Sequence, residues 1–131
     1  MKTLMLALAI LAVTGLKAQG YCRLTLYHAS AEVNAPGGEK IKNIRRIYRG
    51  FRFLIKGCDN VKRTLPDSQV WGYGIRHEIY RNYNHEFYKV EKMGPQIRYT
   101  REMTGFRGRP ILQYYTSATL DSPLRLIKTP V

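Results

Sequence analysis

The chain has 131 residues, 44% of them hydrophobic, and sets 22 Lys and Arg against 9 Asp and Glu for a formal charge of +13. That length holds one domain with one modest core and excludes a multidomain architecture. So basic a chain is drawn to anionic surfaces such as phospholipid headgroups, lipopolysaccharide, acidic glycans or nucleic acid, and charge alone does not choose among them.

The first twenty residues, MKTLMLALAILAVTGLKAQG, have one Lys after the initiator Met, an apolar run from Leu4 to Val13, and small residues at Ala18 and Gly20. This is the layout of a cleaved secretory signal. The apolar run has about ten residues, whereas a bilayer span takes roughly twenty. The segment therefore predicts export with cleavage after Ala18 or Gly20, to the periplasm, the outer membrane or the medium. The bulky Tyr21 argues against a lipid anchor on Cys22. Loss of Lys2 and Lys17 takes the charge from +13 to +11. Residues 21–131 then form a single domain without a second spanning stretch or an internal linker.

The rest reads as mainly β. Ten tyrosines, four phenylalanines and one tryptophan, with many isoleucines and valines, suit pleated, half-buried surfaces. Residues 21–28 (YCRLTLYH) alternate as a first strand, and 34–38 (NAPGG) form a turn. Residues 39–49 are ambiguous. Ile41, Ile44, Ile47 and Tyr48 follow helical spacing and Gly50 could end such a helix, so a short helix competes with a strand there. A strand at 51–56 (FRFLIK) follows, then a loop bracketed by Asn60, Pro66 and Asp67. From Gln69 onward a meander is predicted, with strands at 70–73, 78–81, 86–90, 96–101 and 111–116. The tail from Asp121 crosses the surface with little regular structure. The fold expected is one small, mainly β antiparallel domain, meander- or sandwich-like or barrel-like. Cys22 and Cys58, with no C-x-x-C spacing, predict one structural disulfide in an oxidising compartment.

Reaction chemistry is sparse. HEIYR at 77–81 and HEFYK at 85–89 rhyme, but a zinc-protease helix needs histidines at i and i+4, where Arg81 and Lys89 stand instead. In a hairpin centred on Tyr83, Arg81 faces His85, Ile79 faces Phe87 and His77 faces Lys89. The two histidines are then about 13 Å apart along the sheet, too far to share one metal ion. Two similar strands, with Ile79 and Phe87 as a cross-strand apolar pair, explain the repeat. No metal, cofactor motif, nucleophile elbow or phosphate loop is predicted. Glu78 and Glu86 are the one carboxylate pair open to acid–base work.

Residues 40–56 (KIKNIRRIYRGFRFLIK) carry a dense run of cations, no acid, and interleaved Tyr48, Phe51 and Phe53. Arg45, Arg46, Arg49 and Arg52 are the candidate anion-binding residues, since guanidinium groups bind phosphate or carboxylate in bidentate fashion. The competing reading is a solvated face over core isoleucines.

Trp71-Gly-Tyr73, Tyr80-Arg81, Tyr88-Lys-Val90, Ile97-Arg-Tyr99, Tyr114-Tyr-Thr-Ser117 and Leu120-Asp-Ser-Pro-Leu124 follow one another in order. This succession resembles short exported β-rich proteins of unknown function from Bacteroidetes-type bacteria, with Thr116 where a Phe is expected. The resemblance covers about half of the chain and implies an envelope location and a small β fold, and no activity. The reading that results is a non-catalytic cell-envelope or secreted protein with a basic face for an anionic envelope component or another envelope protein. The alternatives are a small periplasmic hydrolase using Glu78, Glu86 or a histidine, and a secreted nucleic-acid-binding protein.

Overall fold

The computed structural model describes residues 22–34 and 37–127; the leader at 1–20, its cleavage point and part of the 34–38 turn lie outside them. The described residues form strands β1 (Leu24–Tyr27), β2 (Glu39–Ile47), β3 (Arg52–Gly57), β4 (Lys62–Pro66), β5 (Gly72–Ile75), β6 (Glu78–Tyr83), β7 (Glu86–Lys92), β8 (Ile97–Thr104), β9 (Pro110–Ser117) and β10 (Arg125–Ile127), with one short helix, α1 (Ala31–Asn34). All ten strands join one antiparallel sheet in the order β10-β9-β8-β7-β6-β5-β1-β2-β3-β4. β4 and β10 are its edges, so the sheet is open.

In place of the helix considered for 39–49, Glu39–Ile47 is a strand, and Tyr48 and Arg49 belong to the turn after it. A bulge between Ile41 and Asn43 shifts the pairing with β3. One inserted residue places i and i+3 on the same face of a strand, so Ile41 and Ile44 both turn inward and imitate helical spacing. Ile47 falls on the other face, opposite Arg52. The segment 62–66, expected as loop, is edge strand β4, and the tail contributes edge strand β10.

The sheet buries opposite faces in its two halves. On one face Leu26, Ile41, Phe53 and Ile55 are fully buried and, with Val70, gather Leu24, Ile44, Leu65 and Phe87. The sheet curls here until Phe53 on β3 meets Phe87 on β7, five places away in strand order, with ring centroids 5.7 Å apart. On the opposite face Tyr88, Ile97 and Tyr99 pack with Tyr83, Val90, Tyr115, Leu120 and Leu124. The change of side falls within β7, where the neighbours Phe87 and Tyr88 feed different cores.

Residues 118–124 cover the second core. Trp71 Nε1 donates to the Leu120 carbonyl at 3.0 Å, and buried Arg81 donates to the Ser122 carbonyl at 2.8 Å and to Tyr99 Oη at 3.1 Å. A buried guanidinium is tolerable only when its donors are so occupied. Gly72 has a steric role: a Cβ there would lie 2.0 Å from the Tyr80 carbonyl oxygen. Cys22 and Cys58 form the disulfide, Cα atoms 5.7 Å apart, tying the start of β1 to the turn after β3.

Candidate anion-binding face

The β6–β7 hairpin differs from its expected register by three residues. Tyr83 pairs with Glu86, Asn82 with Phe87 and Arg81 with Tyr88. The two-residue turn is Asn84-His85, with φ of 47° and 63°, the left-handed pair that a type I′ hairpin turn requires. An odd shift exchanges faces, so Ile79 and Phe87, expected as a cross-strand pair, lie on opposite sides. Glu78 and Glu86 are likewise separated by the sheet. Glu78 accepts from Tyr80 Oη at 2.8 Å and lies 3.5 Å from Lys89 Nζ; the hydrogen bond from Tyr80, and the Lys89 charge, lower its pKa. Glu86 pairs with Arg101 at 3.2 Å on the other side. Burial, reinforced by Glu78, pushes the Tyr80 phenol up to about 12.

His85 lies beside Asp67 and the Phe51 ring, and His28 Nδ1 donates to the Gln69 carbonyl at 3.0 Å. Among the described residues no group of three or more His, Cys, Asp or Glu is placed to hold a metal ion.

The four candidate arginines are not brought together. Arg46 points into the first core. Its guanidinium lies 4.6 Å from the Phe53 ring centroid and 4.4 Å from that of Phe87, donates to Asn82 Oδ1, and pairs with Asp67 at 3.2 Å. Burial lowers its pKa, and the hydrogen bond and charge of Asp67 oppose that. Arg46 is therefore a structural residue. Arg49 sits on the β2–β3 turn at φ 59°, off the strand face.

Arg45 and Arg52 do share the outer face of β2–β4, and they are joined by two lysines that the arginine pattern omitted. Register places Asn43 and Arg45 on β2, Arg52, Leu54 and Lys56 on β3, and Lys62 and Thr64 on β4 on that one side. Asn43, Arg45, Leu54, Lys56 and Lys62 line a shallow depression of about 180 Å³. Lys56 and Lys62 are direct cross-strand partners, an arrangement that like charges disfavour. Strict alternation of Arg52, Leu54 and Lys56 against buried Phe53 and Ile55 is the sequence signal that identifies Lys56. Lys62, on an edge strand with one inward residue, carried no such signal.

Five of the nine acids are committed elsewhere. Glu39 pairs with Arg63, whose hydrogen bond lowers the Glu39 pKa, Asp67 with Arg46, Glu78 and Glu91 with Lys89, and Glu86 with Arg101. Among the described residues none of Arg45, Arg52, Lys56 and Lys62 makes an ion pair. Across β1 the same side widens into a hollow of about 440 Å³ over Gly74, whose lining includes Arg23, Thr25, Tyr27, Lys40, Arg76 and Glu78. Lys40 Nζ donates to Thr25 Oγ1 at 2.9 Å there.

Comparison of the chain with protein-family models, with curated proteins and with solved structures finds no match. No helix among the described residues is long and apolar enough to cross a membrane, which says nothing of strands.

Proposed function

We propose that the protein is a non-catalytic, exported binding domain of the cell envelope or its surroundings. Its ligand is an extended acidic glycan, laid across the outer face of β2–β4. The observation that carries this reading is the uncompensated cation set Arg45, Arg52, Lys56 and Lys62, with two lysines held opposite one another in register. An anion bridging Lys56 and Lys62 relieves a repulsion that the free protein bears.

Three further features favour a polymer. The face is open and shallow, and its cations are spread over three strands spaced roughly 4.8 Å apart, further than one headgroup or small anion spans. Its apolar member, Leu54, is half-buried, and the exposed rings nearest to the cations, Tyr48 and Phe51, stand on the β2–β3 turn, Phe51 against His85, so base stacking would be confined to that end of the face. The Cys22–Cys58 bridge fits an oxidising compartment.

Reversing Arg45, Arg52, Lys56 and Lys62 to glutamate is expected to lower affinity for a sulfated or uronic-acid polysaccharide about 100-fold at ~0.15 M salt, at the order of 1 kcal/mol or less per surface charge. A control reversing Lys92, Arg98 and Arg125, exposed elsewhere on the sheet, should cost much less. Isothermal titration of both variants measures this; equal losses would reduce the interaction to net charge and remove the face as a site.

A further inference from the structure

Among the described residues the hairpin of β8 and β9 extends beyond its neighbours. β7 accompanies β8 as far as Thr100, and β10 accompanies β9 as far as Tyr114. From Arg101 opposite Gln113 to Thr104 opposite Pro110, the two strands pair with each other alone among the described residues. The arm closes through a hydrogen bond from the Gly105 amide to the Arg109 carbonyl at 2.7 Å, with Arg107 in the left-handed region.

The arm presents apolar groups to solvent. Phe106 at its tip is 84% exposed, the most exposed large apolar side chain among the described residues. Ile111 is 50% exposed on one face of the arm and Leu112 49% on the other. The end of the arm, 103–113 (MTGFRGRPILQ), contains Arg107 and Arg109 and no acid, while Glu102 stands opposite Leu112 nearer its base, and the Arg107 guanidinium lies 5.5 Å from the Phe106 ring centroid.

We propose that this arm is a membrane-surface anchor, whose tip enters the headgroup region of an anionic phospholipid bilayer. Apolar groups on both faces fit a surrounding apolar phase better than one flat partner. Phe106, Ile111 and Leu112 would reach the boundary of the acyl chains while Arg107 and Arg109 hold lipid phosphates. The strand edges left unpaired among the described residues limit entry to the interface, since bare backbone amides do not enter hydrocarbon. Charge selects this occupant over a second copy, because the domain without its leader, at +11 (+13 less Lys2 and Lys17), repels itself and attracts anionic lipid. The site is separate from the basic face of β2–β4 and does not depend on it.

The test is flotation with vesicles of phosphatidylcholine containing about 30% phosphatidylglycerol, an anionic fraction that gives basic groups a surface potential to bind. Phe106→Ser should lower partitioning about tenfold, from lost burial of one aromatic side chain, while circular dichroism stays unchanged because Phe106 supports no core. In Phe106→Trp, brominated acyl chains should quench the introduced indole, and quenching should persist when Arg45, Arg52, Lys56 and Lys62 are reversed. Absence of quenching, with binding lost on reversing the β2–β4 face, would overturn the anchor and assign lipid binding to charge. Concentration-dependent self-association abolished by Phe106→Ser would also overturn it, making a second copy the occupant.

Discussion

Phe53→Ala is expected to lower stability by about 3–5 kcal/mol, the usual cost of emptying a large aromatic site in a packed core. Phe53 is fully buried, and it is the point where the curled sheet closes on itself, against Phe87 of β7. Its ring also forms one wall of the cage around Arg46, whose guanidinium ties Asp67 and Asn82 to β2. The truncation thus removes apolar contacts and loosens a partly buried cation at the same time. Small domains have only about 5–15 kcal/mol in total, so most of the margin goes. Urea unfolding followed by Trp71 fluorescence measures the loss. A midpoint nearly unchanged would mean that β3 and β7 do not close over one core. Phe87→Ala combined with Phe53→Ala should cost less than the sum, because both open the same cage.

Cys22→Ser with Cys58→Ser is expected to cost about 3–4 kcal/mol in the chain-entropy account of a 36-residue separation. For a domain of this size that is a fall in Tm of roughly 15 °C. The bridge spans β1, β2 and β3 at one end of the basic face, so the loss is one of resistance to unfolding more than of the face's geometry. Calorimetry with and without reductant gives the number. A Tm unchanged by reduction of the bridge would show that strand pairing alone fixes this end of the sheet.

The strands with two-sided patterns were legible in the sequence. YCRLTLYH, FRFLIK and ILQYYT alternate because one side of each packs a core, and each overlaps an observed strand, β1, β3 and β9. What was illegible has specific causes. At 39–49 a bulge brought Ile41 and Ile44 to the same face and produced the spacing of a helix. Around 82–85, Asn82-Tyr-Asn84 has turn chemistry, but the chain turns at Asn84-His85, and Asn82 instead donates from its side chain to Asp67 and the Val70 carbonyl. Edge strands β4 and β10 turn few apolar residues inward and so show little period.

The site divided along the same line. The cations at 40–56 are plain in the sequence, but assigning each to a face requires the bulge and the pairing of β3. Arg46 and Arg45 are neighbours in sequence. One is enclosed by two phenylalanines and the other stands on the open face.

The most direct test of the basic face is an NMR titration of the oxidised, isotopically labelled protein with a short acidic oligosaccharide at about 0.15 M salt, where distant surface charges are screened over roughly 8 Å. For the proposed face, amide shifts are expected to concentrate at Asn43–Arg45, Arg52–Lys56 and Lys62–Thr64, with Asp67, Asn82 and Phe87, which hold Arg46 from the other side of the sheet, undisturbed. Shifts scattered over all basic surfaces, or confined to the opposite side of the sheet, would contradict it.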